Sequence, residues 1–214
     1  MESRIFNEYP NEISNMLNTL INIYDKECKS IILYGSTAHN GLTYRKIKNQ
    51  FEFLSDIEFI VVPNDSVNED NKEFEKKLMK KSFDYLKENS SIVFPPYVDV
   101  NSVSKDFFIK AQLRISTFEL KNNGKVVKGD NLLKLLPTVN QNNYSYKVQN
   151  IEIVKALKIL LIESNKWFLC EDSYFNQKYE EQFCYFLCSS FLNILRTLLP
   201  IFGIFELTNQ ERVN

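Results

Sequence analysis

Apolar residues at Ile13, Leu17, Leu20, Ile21 and Tyr24 recur at the three- and four-residue spacing of one helix face, which predicts a helix over Asn11–Lys26. The spacing then collapses into a continuous apolar run, Ile31-Ile32-Leu33-Tyr34, the mark of a buried strand (Ser30–Tyr34) that ends at Gly35-Ser36. A second strand, Ser55–Val62, alternates: Ile57, Phe59 and Val61 face one way, and Asp56, Glu58, Ile60 and Val62 the other. Pro63-Asn64-Asp65 closes it as a turn cluster. Mixed charge with an inner stripe of Phe74, Leu78, Tyr85 and Leu86 predicts a long helix over Glu69–Asn89. Tyr97–Val103 reads as a strand, and a short helix with Phe107 and Phe108 follows from Ser104. Ile115–Leu120 and Lys125–Val127 flank Asn122-Asn123-Gly124, a β-hairpin signal, because Asn-Gly suits turn positions with positive φ. From Tyr146 onward the pattern is helical, with long segments at Val148–Ser164 and Phe175–Leu199. The fold class is therefore α+β, with an N-terminal domain over 1–137 and a helical, partial-bundle domain over 144–214. An Asn- and Gln-rich stretch separates them.

The polar positions inside the strands carry the chemistry. Asp56 and Glu58 share one strand face about 6.5–7 Å apart, on a side otherwise continued by Ile60 and Val62. Asp99 stands on the later strand, opposite in direction to Val98 and Val100. Carboxylates placed against an apolar face suit a hard divalent cation, and Mg²⁺ is bound by such groups together with substrate phosphates. Gly35 and Ser36 end a buried strand, where a loop or helix start offers backbone N–H groups to an anion. The following stretch holds Arg45, Lys46 and Lys48 beside Tyr44, readable either as a solvated loop or as a triphosphate or acceptor contact.

Gly35-Ser36, then Asp56-Ile57-Glu58, then Asp99 on a later strand resembles the signature of the DNA polymerase β-like nucleotidyltransferase superfamily. The resemblance spans about residues 10–137; beyond that, the chain matches only in being helical. It implies a mixed sheet flanked by helices, followed by a C-terminal helical domain. It also implies transfer of a nucleoside monophosphate, AMP from ATP first among them, to a hydroxyl of a small-molecule or protein acceptor, with release of pyrophosphate. Under the resemblance Asp56, Glu58 and Asp99 are the catalytic residues and the ligands of two Mg²⁺ ions, and Asp99 stands nearest the acceptor hydroxyl. Gly35 and Ser36 are then nucleotide-binding residues, and Arg45 of the basic loop is a further candidate for nucleotide binding. Small members of the superfamily include enzymes that adenylylate aminoglycosides and members of toxin–antitoxin pairs, so the alternative is a degenerate, antitoxin-like binding module. The chain departs from the compact members in one respect: nineteen residues, Thr37 to Ser55, separate Ser36 from Asp56.

Composition narrows the partners. A net charge of −1 over 214 residues argues against long nucleic acid, whose binders carry a basic domain or stripe. Phe183–Phe205 is long enough to span a bilayer, but Arg196 near its middle and Asn193, Ser189, Ser190 and Pro200 around it argue for a core or interface helix instead. Phe183, Phe186, Leu187, Ile194 and Leu198 give that helix an apolar surface suited to a homodimer. Cys28, Cys170, Cys184 and Cys188 lack metal-site spacing and read as structural thiols. Met1-Glu2-Ser3-Arg4 lacks an apolar signal core, which sets a cytoplasmic expectation.

Overall fold

A computed structural model describes residues 6, 8–65, 70–94 and 96–139, together with isolated helical positions between 154 and 199. The chain divides into two compact units: Met1–Ala111 with Leu120–Leu136, and Gln112–Glu119 with Pro137–Asn214.

In the first unit, helix α1 (Asn11–Asp25) buries the predicted stripe Ile13, Leu17, Leu20, Ile21 and Tyr24, and Met16 besides. Strand β1 (Cys28–Tyr34) follows and leads into a single helical turn, α2 (Gly35–Ala38). Strands β2 (Tyr44–Ile47) and β3 (Gln50–Phe53) form a hairpin around Lys48-Asn49, with Lys48 in the left-handed region at φ 56°. Strand β4 (Ile57–Pro63), helix α3 (Asn71–Glu88), and strands β5 (Ile92–Phe94) and β6 (Val98–Ser102) come next. Helix α4 (Lys105–Ile109), helix α5 (Ile115–Asn123), strand β7 (Lys125–Gly129) and a 3₁₀ turn at Leu132–Leu135 complete the described order.

Two sheets result. The larger runs β6-β4-β1-β7, with β4 and β6 parallel and the other pairs antiparallel. The smaller runs β2-β3-β5. Alternation gives the larger sheet two unlike faces. Ile31, Leu33, Ile57, Phe59, Val61, Val98 and Val100 pack with α1 and α3 in the main core, which also takes in Phe51 and Phe53 of the smaller sheet. Ile32, Ile60 and Val62 point the other way and gather Phe108, Leu120, Leu132, Leu133 and Leu136. Covering both faces of a sheet in this way hides the apolar residues of a strand on both sides, which is why β1 and β4 read as near-continuous apolar runs.

The structure corrects several expectations. Ile115–Leu120 is not a hairpin strand but most of α5. Gly124 serves the end of that helix: its N–H donates to the Leu120 carbonyl at 3.0 Å, and a Cβ there would stand 2.5 Å from the same oxygen. The same dipeptide that suits a hairpin turn thus also suits a helix terminus, where a side chain has no room. The long Thr37–Ser55 segment contains the unpredicted β2–β3 hairpin. On α3, Ser82 occupies the fully buried position and Tyr85 packs at the core edge. Cys28 is buried, but Cys184 and Cys188 are exposed, so burial accounts for only the first as a structural thiol.

Of the second unit, Ile115 and Val139 form a small buried cluster with Leu113 and Phe118 against it. Val154, Leu157, Lys158 and Leu161 are helical, as are Leu187, Ile194 and Leu198. Most of the predicted Val148–Ser164 and Phe175–Leu199 helices, including Phe183 and Phe186, lies outside the described residues, as do Cys170 and the Asn140–Asn143 stretch. Among the described residues no helix is long and apolar enough to cross a membrane.

Candidate active site

Register places the acids. β1 pairs Tyr34 with Glu58 on β4, and β4 pairs Glu58 with Asp99 on β6. Tyr34, Glu58 and Asp99 therefore form one row across three adjacent strands, spaced by about 4.7–4.9 Å per strand. All three are partly exposed, at the end of the face whose next row, Ile32 and Ile60, is buried. Asp56 precedes β4 and retains solvent exposure. The β4–β6 ladder extends to it: Ile57 N–H donates to the Tyr97 carbonyl at 2.9 Å, and the Asp56 carbonyl accepts from Thr37 Oγ1 at 3.4 Å.

The electrostatics tie the acids together. Asp56 keeps an exposed edge, yet the protein packed around its carboxyl partly desolvates it and pushes it above its ordinary value; the charge of Asp99 adds to this, against a hydrogen bond from Asp56's own N–H that pulls it down. Tyr34 is pushed well above the usual tyrosine range, first by burial and then by Glu58, Asp99 and Asp56, with a hydrogen bond from Asn101 opposing. It remains a neutral phenol among three carboxylates. Asn101 Nδ2 donates to Tyr34 Oη at 3.0 Å and to Asp99 Oδ2 at 3.0 Å.

Gly35 sits at the junction of β1 and α2 with φ 66°, and a Cβ there would overlap the Glu58 carboxylate. The left-handed backbone calls for glycine, and a side chain there would also displace the Glu58 carboxylate from its place beside the turn. The turn beyond is tied down. Gly41 N–H donates to the Ser36 carbonyl at 2.8 Å, while the Tyr9 hydroxyl donates to the Thr37 carbonyl at 3.4 Å and accepts from Leu42 N–H at 3.2 Å. Gly35 and Ser36 thus stand at a strand-to-helix turn beside Glu58. Arg45 is on β2 of the smaller sheet, and its guanidinium pairs across the hairpin with Glu52, a carboxylate only 4% exposed.

No family model and no curated protein matches the chain. Among solved structures it is similar to spectinomycin adenyltransferase AAD(9) from Enterococcus faecialis, crystallised with ATP and spectinomycin. Identity is 13%, 95% of this chain and 80% of that one are covered, and the TM-score is 0.50. The chain has a polymerase β-like nucleotidyltransferase fold. Two toxin–antitoxin structures also match: one with AMP-PNP at 18% identity and TM-score 0.34, the other a mutant of MntA-HpeT at 19% and 0.31. Each match covers 73% of this chain and 99% of that chain.

Within the nucleotidyltransferase fold the acid row fits a divalent cation by its chemistry. The candidate donors are carboxylate oxygens, and the Asp99 charge that adds to the effect of burial in raising Asp56 is of the kind a bound cation neutralises. Among the described residues no three His, Cys, Asp or Glu side chains are gathered closely enough to hold an ion unaided. Mg²⁺ needs no such cage, since it takes one or two carboxylates and completes its shell with substrate phosphates and water.

Two members of this site, Tyr34 and Asn101, were not singled out by sequence reasoning. Each reads as an ordinary strand residue. Only the pairing of β1, β4 and β6, which no local pattern specifies, brings them to the acids.

Proposed function

We propose that the protein is a metal-dependent nucleotidyltransferase that moves a nucleoside monophosphate, AMP from ATP, to a hydroxyl of a small-molecule or protein acceptor and releases pyrophosphate. The observation that carries this reading is the register Tyr34–Glu58–Asp99, which sets two carboxylates side by side next to a glycine turn, with Asp56 close enough to feel the charge of Asp99. The adenyltransferase of the same fold, crystallised with ATP and spectinomycin, supports ATP as donor and a small-molecule acceptor.

Asp56, Glu58 and Asp99 would hold Mg²⁺. Bound there, the ion would supply relief of charge on the phosphates. The residues themselves supply the rest. Gly35 and Ser36 receive the phosphate chain at the β1–α2 turn, by backbone N–H groups and the Ser36 hydroxyl. The acceptor oxygen attacks the α-phosphorus while the bond to pyrophosphate breaks, and Asp99 takes the hydroxyl proton. Preorganised charge of this kind is commonly the largest catalytic contribution. Arg45, held by Glu52 on the other sheet, is assigned no part.

The test is calorimetric titration of each NTP with and without Mg²⁺, paired with pyrophosphate release across a panel of aminoglycosides, sugars and candidate proteins. ATP binding that depends on Mg²⁺, and pyrophosphate release that falls by about 10²–10³ in Asp56→Asn, are expected. ADP and inorganic phosphate as products, or full activity in Asp56→Asn, would overturn the reading.

A further inference from the structure

Rows on the acid-bearing face run across β1, β4 and β6. The row beside Tyr34–Glu58–Asp99 is Ile32–Ile60–Asn101. Ile32 and Ile60 are buried in the apolar cluster of that face, and Asn101 stands where a third hydrophobic residue would continue the row. A part-buried amide is costly unless it is hydrogen-bonded, so its partners reveal what it does. They are Tyr34 Oη and Asp99 Oδ2, each 3.0 Å from the same nitrogen, Nδ2. A carboxylate only accepts, so the end of the amide turned to Asp99 is the NH₂ group, whose two hydrogens serve one partner each. The Tyr34 oxygen, anchored on β1, thus fixes the amide, and the amide fixes the Asp99 carboxylate on β6.

We propose that Asn101 is a positioning residue that, braced by Tyr34, orients the Asp99 carboxylate toward the divalent cation of a bound metal–nucleotide complex. The proposal rests on the nucleotidyltransferase reading of the same site. Carboxylate ligands of metals are commonly held by such outer hydrogen bonds, whose loss costs about 10–100-fold in metal affinity. An asparagine present only to fill space would have no such effect, because leucine of similar size would replace it in an apolar row.

Calorimetric titration of the full chain with ATP, in Mg²⁺ and again in EDTA, measures the gain in ATP affinity that Mg²⁺ confers. Asn101→Leu should reduce that gain by about tenfold or more while leaving affinity in EDTA at the wild-type value. Tyr34→Phe, which keeps the ring but removes the brace, should reduce it less. In an Asp99→Asn background Asn101→Leu should add nothing further, as expected of two residues acting through one contact. A wild-type gain in Asn101→Leu, or an equal loss with and without Mg²⁺, would overturn the proposal while leaving the metal site intact. If Asn101→Leu fails to fold, an undiminished gain in Tyr34→Phe does the same. Absence of any gain in the wild type, or its survival in Asp99→Asn, would instead remove the metal site and this proposal with it.

Discussion

Gly35 shows how much one missing side chain accomplishes. Its φ of 66° lets β1 turn directly into α2, and its bare Cα leaves the Glu58 carboxylate a place to lie. Left-handed backbone costs an L-residue roughly 1–2 kcal/mol. Gly35→Val should therefore lose about that much in a urea denaturation series, remain folded, and fail to bind ATP. Unchanged ATP affinity in the variant would mean the turn is not the phosphate cradle. Arg45 presents the converse case. A basic residue in a long loop invites a phosphate role from sequence alone, yet the β2–β3 register pairs it with buried Glu52. Hydrogen bonds to charged groups contribute about 1.5–3 kcal/mol, so Arg45→Met should lower stability by that order and leave ATP affinity unchanged. A collapse in affinity with stability intact would return Arg45 to the phosphates.

At the scale of elements, the segment entering β1 is fastened to α3 through Glu27, which accepts from both Lys77 and Lys81. Burial alone would raise the Glu27 carboxyl, but the two lysines outweigh it and hold it below the usual carboxylate range. A depressed folded-state pKa stabilises above the unfolded value, near 4.3, and the contribution disappears as pH falls through the folded value. Stability measured between pH 7 and pH 3 should thus contain an acid-labile part of up to about 1 kcal/mol that is absent in Glu27→Gln. Equal pH slopes for the two proteins would contradict the assignment. Elements with a single clear period were legible in the sequence: α1, α3, β1, β4 and β6 lie within a few residues of their expected spans. The β2–β3 hairpin was not, because its apolar residues, Tyr44, Phe51 and Phe53, are few and interleaved with charge. Phe51 and Phe53 are buried and Tyr44 half-buried by meeting Tyr9 and one another, which is a tertiary event. Ile115–Leu120 fits neither period cleanly, and a turn signal at its end tipped the reading toward a hairpin.

For the whole molecule, the two-faced sheet is what makes a site possible. One face is closed by α1 and α3, and the other is apolar at Ile32, Ile60 and Val62 but acidic along its last row. Glu58 and Asp99 were readable as strand acids, since alternation decides direction, and they are register partners; Asp56, expected on the same strand as Glu58, precedes it. Their neighbours Tyr34 and Asn101 were not, since strand order is set by packing across the whole unit and not by any stretch of chain. The proposed nucleotidyl transfer is tested by the fate of the ATP phosphates. ATP labelled at the α-phosphorus and, separately, at the γ-phosphorus, incubated with Mg²⁺ and the acceptor panel, distinguishes the reactions directly. The account predicts that the α-label moves to an acceptor and the γ-label leaves in pyrophosphate, both lost in Asp56→Asn. Transfer of the γ-label to an acceptor, or its release as inorganic phosphate, would contradict it.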